Sequence, residues 1–401
     1  MADLSAELPL KRAWQYPDPR RPADCLPLVY GQPGPGAGGL WSAVCLDAAA
    51  RVYALAGHPL PGPESGHPVQ LFDKDDEAID PAYYSLDLAC DFAGQGQIAI
   101  ATFAAEAKSL EPIGVRAPGK AAAAGVLGNP LDVARDLLVD AAGLDPAALD
   151  AGALNRARSR AEMLGYRAAG AFTKVVTLGQ ALTELMAGFL GSWWRGGDGR
   201  LRLMLDLGPG GVGEGELAAV LAPANLRSVS VSARLDDLVN QVEVHYAYNH
   251  RAQAYQAAWS GAEATQAKSV GLYGSRPRTL ALKWVRDGAC ARAIAARVAT
   301  AYAFPRRTLT CEEEGLTNLH LEKGDPVVIS LAWLCDPLGR PLVNQIMQVL
   351  GLEPQLDRGV ITYTLLDTGN YRTLARPADG AVLADGANLA GGERDTREYQ
   401  A

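Results

Sequence analysis

Cysteine and histidine are the residues of this 401-residue sequence that could hold a metal ion or act as nucleophiles. No two cysteines have the spacing of two to four residues that is typical of zinc and redox sites. The pattern favours reduced, mostly buried thiols, and it leaves open a metal or iron–sulfur cluster built from distant cysteines. The residues concerned are Cys25, Cys45, Cys90, Cys290, Cys311 and Cys335, with His58, His67, His245, His250 and His320.

Three acidic strings could supply carboxylates for catalysis or metal binding: Asp73–Glu77, Asp236-Asp237 and Glu312–Glu314. General acid–base catalysis needs two sheltered carboxylates with separated pKa values, whereas adjacent carboxylates in turns usually face solvent. The string DKDDE also lacks the fixed glycine and closing glutamate of an EF-hand loop. We therefore expect solvated acidic surfaces, with a glycosidase-like site or a metal site as the less favoured alternative.

The remaining candidates are a glycine-rich string and a tryptophan pair. Gly208–Gly215 has no preceding βαβ pattern and contains Pro209, so we interpret it as a turn rather than a phosphate loop. Trp193 and Trp194 could stack on sugars or bases, but their place between a helix and a hairpin favours one core residue and one interface anchor. Walker A, GxSxG and HExxH motifs are missing. We predict no catalytic, cofactor-binding or metal-binding residue and no enzymatic activity. His245 and His250 are five positions apart, hence on opposite faces of a continuous strand.

The amino-acid composition is typical of a globular protein. Apolar residues make up 48% and charged residues 20% of the sequence, which excludes wholesale disorder, and the length predicts two or three domains. The net charge of −8 disfavours a sequence-independent nucleic-acid binder, which would carry a basic surface. The sequence has no apolar run long enough for a membrane span and no signal-peptide pattern at its start, so we expect synthesis and folding in a cytoplasm.

The N-terminal part of the sequence is β-rich. Residues 1–24 are rich in Pro and Arg and predict an extended arm. Short alternating runs between Gly and Pro clusters then predict a small barrel or sandwich over 25–125. The predicted strands are Leu26–Tyr30, Ser42–Leu46, Arg51–Leu55, Val69–Phe72, Tyr83–Leu88 and Gln97–Phe103.

The middle of the sequence changes to a mixed helix and strand pattern. Asn129 followed by Pro130 predicts a capped helix start, and a second helix is predicted over 151–163. A strand near Ala171–Val176 and an apolar helix after Thr177 follow. The turn GGDG then predicts a hairpin, Trp193–Arg195 with Arg200–Leu205, and a short helix over 215–222 closes the segment.

From Leu226 onwards the strand pattern returns, with one helix predicted at about 287–303. The last 25 residues are rich in Gly and Ala, and we expect a flexible tail. Alternating residues predict two strands, one with Val229, Val231 and Ala233 on one face and one with Val242, Val244 and Tyr246. The further predicted strands are Tyr255–Trp259, Thr279–Trp284, Thr308–Cys311, Val327–Leu331, Ile346–Leu350 and Val360–Leu365.

Several strings, in this order, resemble the hub proteins at the tip of phage tails. The resemblance covers about 25–365 and is carried by order and spacing together. One string has the pattern N-x-V-x-V-x-Y at Asn240, Val242, Val244 and Tyr246, another has Ser269, Tyr273 and Gly274, and a third has Gly324, Asp325 and Val327. The others are PADCLPLVYGQ (22–32), GNPLDVARDLLVDAAGLD (128–145) and TLGQALTELMAGFLGSWWRGGDGRLRLML (177–205).

The resemblance implies an α+β, β-rich fold with two tube-like β-barrel hub domains and an inserted small α/β module. The implied domains are a barrel with its arm (1–125), the α/β module (126–224), a second barrel with one helix (225–375) and the flexible tail (376–401). Residues 225–260 could alternatively complete the first barrel.

The implied function is structural. Such a hub is a homotrimer at the tail tip that adapts the sixfold tail tube to a threefold tip and encloses the channel through which DNA passes unbound. Its partners would be tail tube, distal tail and tape measure proteins and other tail-tip, central fibre or spike proteins, and it would be assembled in the host cytoplasm without a cofactor. The acidic strings 73–77 and 312–314 are candidates for the channel wall. A distal-tail or other baseplate adaptor is the alternative, and a peptidoglycan- or carbohydrate-active tail enzyme is less favoured.

Overall fold

The protein is β-rich with few helices, as the sequence predicts. The computed structural model describes residues 24–34, 36–62, 66–91, 96–104, 112–122, 125–206, 217–233, 235–335 and 341–368. Strands hold 44% and helices 22% of the chain described. The predicted arm (1–23) and tail (376–401) lie outside these residues.

The helices and strands are numbered in chain order. The helices are α1 (Pro130–Asp136), α2 (Ala151–Met163), α3 (Leu178–Gly188), α4 (Ala267–Tyr273) and α5 (Gly288–Tyr302). The strands are β1 (Asp24–Tyr30), β2 (Trp41–Ser42), β3 (Val44–Asp47), β4 (Val52–Ala56), β5 (Gln70–Phe72), β6 (Tyr84–Asp91), β7 (Gln97–Phe103), β8 (Gly114–Arg116), β9 (Ala121–Ala122), β10 (Gly125–Val126), β11 (Gly170–Lys174), β12 (Gly191–Arg195), β13 (Leu201–Leu205), β14 (Ala219–Leu221), β15 (Leu226–Ala233), β16 (Gln241–Asn249), β17 (Ala254–Thr265), β18 (Pro277–Ala281), β19 (Arg307–Glu314), β20 (Pro326–Cys335), β21 (Pro341–Gln355) and β22 (Val360–Asp367).

The chain divides into two compact units, each built from three separate stretches of sequence. The first unit comprises Met1–Leu205, Glu243–Gly261 and Thr279–Ala295, and the second comprises Asp206–Val242, Ala262–Arg278 and Ala296–Ala401. In this division residues 126–205 belong to the same unit as the strands before them, whereas the sequence predicts boundaries at 125 and 224. Two compact units do not test the four predicted domains one by one, so that organisation stays a prediction.

The first unit is built around small antiparallel sheets. One has the strand order β3-β4-β7-β6, another has β2-β8-β5, and β1 pairs with β11. Leu55, Leu71 and Val115 are fully buried in the core between them. Trp41 lies in the same core, and its Nε1 donates to Leu55 O at 2.9 Å. Leu55 and Leu71 lie on or beside predicted strands, whereas β8, which carries Val115, was not predicted.

The helices of the first unit begin where the sequence places their caps. Asn129 Oδ1 accepts from Leu131 N at 2.9 Å at the start of α1, and Asp150 Oδ1 accepts from Ala153 N at 2.9 Å at the start of α2. Thr177 and Gln180 form a capping box at the start of α3. Capping satisfies backbone N–H groups that the first helical turn leaves without partners, so each helix start is fixed locally. The predicted helix over 151–163 and the predicted hairpin are confirmed.

The second unit contains a six-stranded sheet in the order β14-β20-β21-β22-β19-β15. All its pairs are antiparallel except that of β14 with β20. Leu309, Ile329, Met347 and Tyr363 are fully buried in its core. This mainly antiparallel sheet contains most of the strands of the second unit.

The short helix predicted over 215–222 is wrong for its described residues. Ala219–Leu221 is the strand β14, which pairs in parallel with Val327–Ile329, and Leu221 is fully buried. A three-residue apolar run carries no periodicity, so pairing with a distant strand decides its conformation. Residues 215 and 216 lie outside the described chain.

Closure of the sheets into barrels is not confirmed. Within the described chain, the six-stranded sheet runs from β14 to β15, and these two edge strands do not pair with each other. A further three-stranded sheet has the order β17-β16-β18. Among the helices that the structure describes, none combines the length and the apolar composition of a transmembrane span.

Candidate functional site

The six cysteines are thiols in very different surroundings. Burial raises the pKa of Cys290 to about 11 and that of Cys311 to about 12, so both thiols are protonated and unreactive near neutral pH. Over the described residues, no group of three or more His, Cys, Asp or Glu side chains could hold a metal ion. Cys25, Cys290 and Cys311 are buried, Cys45 and Cys90 are half-buried, and Cys335 is exposed. The expectation of mostly buried thiols thus holds for three of the six.

His245 and His250 have separate partners. His245 Nε2 lies 2.8 Å from Glu243 Oε1, whereas His250 Nε2 accepts from Ala171 N at 3.1 Å. The strand β16 ends at Asn249, so His250 lies beyond it. The positive φ of Ala247 (56°) also breaks the regular alternation on which the opposite-face argument relied.

His58 is a buried histidine with a structural role. Its Nε2 accepts from Val29 N at 3.0 Å, and its Nδ1 lies 2.8 Å from Pro59 O. Burial lowers the pKa of His58 to about 4, so the ring is neutral near neutral pH. The sequence named this histidine but gave no sign that it joins β1 to the residues after β4. His67 is half-buried and His320 is exposed.

The acidic string Asp73–Glu77 forms a surface turn. Asp73 Oδ1 accepts from the backbone N–H groups of Asp75 (2.9 Å) and Glu77 (3.0 Å). Asp76 forms an ion pair with Arg251 (Nη1 to Oδ1, 2.6 Å). Residues 74–77 are exposed, in agreement with a solvated acidic surface, and Asp236-Asp237 is exposed as well.

The string Glu312–Glu314 is not a uniformly solvated surface, which corrects the expectation from sequence. Glu313 is only 1% exposed, and it accepts from Asn318 Nδ2 at 2.8 Å and from the Tyr363 hydroxyl at 3.0 Å. Glu314 is exposed and pairs with Arg227. Because the string lies in β19, neighbouring side chains point to opposite faces of the sheet. Glu313 therefore cannot line a channel.

The tryptophan pair lies in β12, in the hairpin, and neither residue is fully buried. The prediction of one core residue is therefore wrong. Trp193 Nε1 donates to Thr183 Oγ1 at 3.2 Å, which joins the hairpin to α3. Both rings are half-buried, whereas Leu201, Leu203 and Leu205 of the partner strand are buried. Gly208–Gly215 lies outside the described residues.

A cleft of about 220 Å³ in the first unit collects polar side chains that the sequence did not single out. Glu184 Oε1 accepts from Lys283 Nζ and Trp284 Nε1, both at 2.9 Å. Lys283 Nζ also lies 5.5 Å from the centre of the Tyr248 ring. Burial, with the nearby cations, lowers the pKa of His250 in this cleft to about 3. The carboxylate is held by two donors and the imidazole is uncharged, so the group suits a structural junction better than proton transfer.

Asn240, Ser269 and Gly274, which come from two strings of the hub resemblance, meet in the second unit. Asn240 is fully buried just before β16, and its Nδ2 donates to Gly274 O at 2.8 Å and to Ser269 Oγ at 3.2 Å. Its Oδ1 accepts from Arg276 N at 2.7 Å. Ser269 Oγ in turn donates to Ala303 O. We call Asn240, Ser269, Gly274 and Arg276 the asparagine node.

The asparagine node joins two strings that are separate in sequence. Both donor positions and the acceptor of the Asn240 side chain are used, so this side chain has no spare donor for a ligand. Gly274 ends α4 with a φ of 73°, a conformation that favours glycine. The node is therefore a structural lock that fixes α4 against the residues before β16.

The third string of the resemblance is also structural. Gly324 adopts a φ of 95°, and its N–H donates to Val349 O at 2.7 Å. Asp325 Oδ2 accepts from Glu322 N at 2.8 Å, and Val327 is fully buried in the sheet core. Gly324 and Asp325 thus shape the turn that leads into β20.

Comparison with solved structures finds similar chains, among them two prophage tail proteins. A prophage tail protein, gp18 from Listeria monocytogenes EGD-e, matches at 10% identity with a TM-score of 0.32, covering 80% of this chain and 91% of that one. A 43 kDa tail protein of prophage MuSo2 from Shewanella oneidensis matches at 9% identity with a TM-score of 0.32, covering 73% of this chain and 77% of that one. No protein-family model and no curated protein matches the sequence. At these values the two matches do not establish a shared fold or function.

Proposed function

We propose that this chain is a structural component of a phage tail and, more specifically, the trimeric hub at the tail tip. In this role it adapts the sixfold tail tube to a threefold tip and surrounds the channel for DNA. It works as part of the virion, after assembly in the host cytoplasm, through contacts with tail tube, distal tail, tape measure and fibre or spike proteins. The role is mechanical and needs no cofactor or catalytic residue.

The asparagine node is the observation that carries this proposal. The resemblance to hub proteins rests on strings whose order, rather than length, is distinctive. Two of these strings supply Asn240, Ser269 and Gly274, and Asn240 donates to both of the others. Chance similarity of short strings gives no reason for Asn240 and Ser269, each 0% exposed, to share a hydrogen bond.

The charge distribution gives a second, weaker support. A channel that DNA must traverse without sticking needs few free Lys and Arg side chains, since phosphate contacts retain DNA. Residues 74–77 form an exposed stretch with one Lys and three acidic side chains, and they are the candidate for the channel wall. Density of an assembled tail that places 73–77 on the outer surface would remove this part of the proposal.

The first test is the oligomeric state of the purified full-length chain. Light scattering combined with electron microscopy of the same sample is expected to give the mass of three chains and a ring with a central hole. Three copies per tail would support the hub. Six copies per tail would instead support a distal-tail or adaptor ring.

A separate test addresses catalysis. We expect no clearing of cell-wall substrate in a zymogram of the full-length chain. Clearing that disappears in Glu184→Gln would overturn the mechanical role, because Glu184 is the carboxylate of the described cleft. Glu314→Gln is the matched control, since that carboxylate is exposed and lies on β19 in the second unit.

A further inference from the structure

The strand β11 has one edge that no other strand covers among the described residues. On its other edge it pairs with β1, and these two strands form a sheet of their own. Ala171 N donates to His250 Nε2 at 3.1 Å, so the N–H group of Ala171 points away from β1. Backbone groups alternate in direction along a strand, so the N–H and C=O of Thr173 point to the same side. The open edge of β11 therefore begins at Thr173.

The cleft described above lies along this edge. Thr173, His250 and Lys283 all line it, and its volume is about 220 Å³. All three residues are half-buried, so solvent reaches them. The volume is below the roughly 300–1,000 Å³ of pockets that hold drug-sized ligands. The cleft therefore has room for one short side chain and the backbone next to it.

Two donors of this cleft are open to a ligand. His250 Nε2 accepts a hydrogen bond, so the proton of the neutral ring lies on Nδ1. Within the part of the chain that the structure describes, Nδ1 has no partner and is not one of the buried polar atoms without one, so solvent reaches it. Lys283 Nζ has three N–H groups, and one of them bonds to Glu184 Oε1 at 2.9 Å. Burial lowers the pKa of His250 to about 3, which keeps its ring a neutral donor near neutral pH.

The charge around this edge favours an anion. After burial, the charges of Lys283 and Arg286 are what lower the pKa of His250, so the electrostatic potential at the imidazole is positive. Among the described residues that line the cleft, two are cations, Lys174 and Lys283, and one is an anion, Glu184. A negatively charged group beside His250 therefore complements the cleft.

We propose that the cleft beside β11 docks an extended segment of another protein that carries a carboxylate side chain. The backbone of this segment pairs with Thr173 as an added strand, and its carboxylate accepts from Lys283 Nζ and from the Nδ1–H of His250. The main-chain hydrogen bonds supply affinity, and the cleft selects the side chain. The proposal uses contacts of the first unit alone and does not depend on the proposed tail function.

The test is isothermal titration of the full-length chain with a capped pentapeptide. The peptide has glutamate at its centre, flanked by valines and then by threonines, because β-branched residues favour the extended conformation. A matched peptide has glutamine in place of glutamate. We expect one glutamate peptide to bind per chain, with an affinity at least about tenfold higher than that of the glutamine peptide.

A variant of the cleft separates recognition of the carboxylate from a structural role. Lys283→Gln removes the ammonium group, so it should bind both peptides with the same low affinity. Lys74→Gln is the matched control, because Lys74 is an exposed lysine of the same unit that lies outside the cleft and pairs with Asp75. This control should keep the full preference for the glutamate peptide.

Hydrogen exchange distinguishes a docked strand from a bound small acid. A saturating concentration of the glutamate peptide should slow exchange in the segment that contains Thr173, because an added strand covers its N–H group. Acetate has the same carboxylate without a backbone, and it should leave the exchange of this segment unchanged.

Three results would overturn the proposal. The first is a wild-type titration with the glutamate peptide that gives no saturable heat, a measurement that needs no variant to fold. The second is equal affinity of the wild-type chain for the two peptides. The third is acetate that binds as tightly as the glutamate peptide, since the occupant would then be a free acid and no strand would be added.

Discussion

The asparagine node should be the most sensitive polar position of the second unit, and Asn240→Ala tests this. The substitution removes two donated hydrogen bonds and one accepted hydrogen bond. It leaves Gly274 O and Arg276 N without their side-chain partner. Asn240 and Ser269 are fully buried, whereas Gly274 and Arg276 are exposed, so the loss falls mainly on the buried Asn240 side and not on the two backbone groups.

The expected magnitude follows from the three hydrogen bonds that are lost. A typical intramolecular hydrogen bond contributes about 0.5–1.5 kcal/mol net. Three such bonds give a loss of about 2–4 kcal/mol in the free energy of unfolding. That is a large part of the roughly 5–15 kcal/mol that stabilises a typical folded domain.

The assay is urea unfolding of the full-length chain followed by circular dichroism, with hydrogen exchange resolved by mass spectrometry. Asn225→Ala is the matched control, because Asn225 is exposed in the same unit and its side chain makes no hydrogen bond among the described residues. The control should change the free energy of unfolding by less than about 0.5 kcal/mol. Exchange of the amides in α4 should accelerate in Asn240→Ala alone.

A double-mutant cycle with Ser269→Ala sharpens the result. The two side chains share a hydrogen bond of 3.2 Å, so their effects should be non-additive, with a coupling of about 0.5–3 kcal/mol. The reasoning is refuted if Asn240→Ala unfolds within about 0.5 kcal/mol of wild type and α4 exchanges at its wild-type rate. That outcome would mean that the node is a by-product of packing and fixes nothing.

Further predictions concern acid stability, the core of α3 and thiol reactivity. Burial lowers the pKa of His58 from 6.5 to about 4, so its contribution is fully present above pH 6.5 and is lost as the pH falls towards 4. His58→Gln should therefore reduce the change in the free energy of unfolding between pH 6.5 and pH 4 by up to about 3 kcal/mol. Leu182→Asp places a charge at a fully buried position of α3 and should prevent folding into soluble protein. Ala187→Asp, at an exposed position of the same helix, should leave soluble expression unchanged. Equal solubility of the two variants would contradict the assignment of Leu182 to the core. A maleimide reagent should label Cys335 in the native chain and Cys290 only after unfolding, as peptide masses will show; early labelling of Cys290 would refute its burial.

Local chemistry explains which elements were predictable from the sequence. Helix α2 was predicted at its true bounds because Asp150 caps it and the apolar pattern that follows is regular. The strand Gln97–Phe103 was predictable because alternation is a local property of the sequence. Elements that depend on distant partners were missed or mistaken. The three residues of β14 are a strand only because β20 lies beside them.

The helix α4 was not predicted from the sequence, for a second reason. Ala267–Tyr273 contains Gly271, and its first residue is preceded by Gln266, which makes no side-chain cap. Neither propensity nor capping therefore marks it as a helix. Its position is fixed by the bond between Asn240 and Ser269, which links residues 29 positions apart. The sequence contained both residues, but their meeting is a property of the fold.

The acidic candidate residues also divide into those whose surroundings could be predicted locally and those whose surroundings depend on distant partners. Solvation of Asp73–Glu77 followed from composition alone, whereas burial of Glu313 did not, because it depends on Asn318 and Tyr363. The signal that could have found it is the strand itself. A string of three acidic residues in an alternating segment must send one side chain to the opposite face from its neighbours.

The discontinuous first unit has a consequence for synthesis on the ribosome. Residues that are synthesised late complete the packing around β1 and β11. The Trp284 ring packs on Phe172 with 4.6 Å between ring centroids. Asn249 Nδ2 donates to Gly39 O, which lies 210 positions earlier in the sequence. A nascent chain that has emerged only as far as residue 205 therefore lacks these contacts and shows apolar surface. The core of the first unit can be fully packed only after residue 284 has left the exit tunnel. We therefore expect chaperones to bind the nascent chain until then.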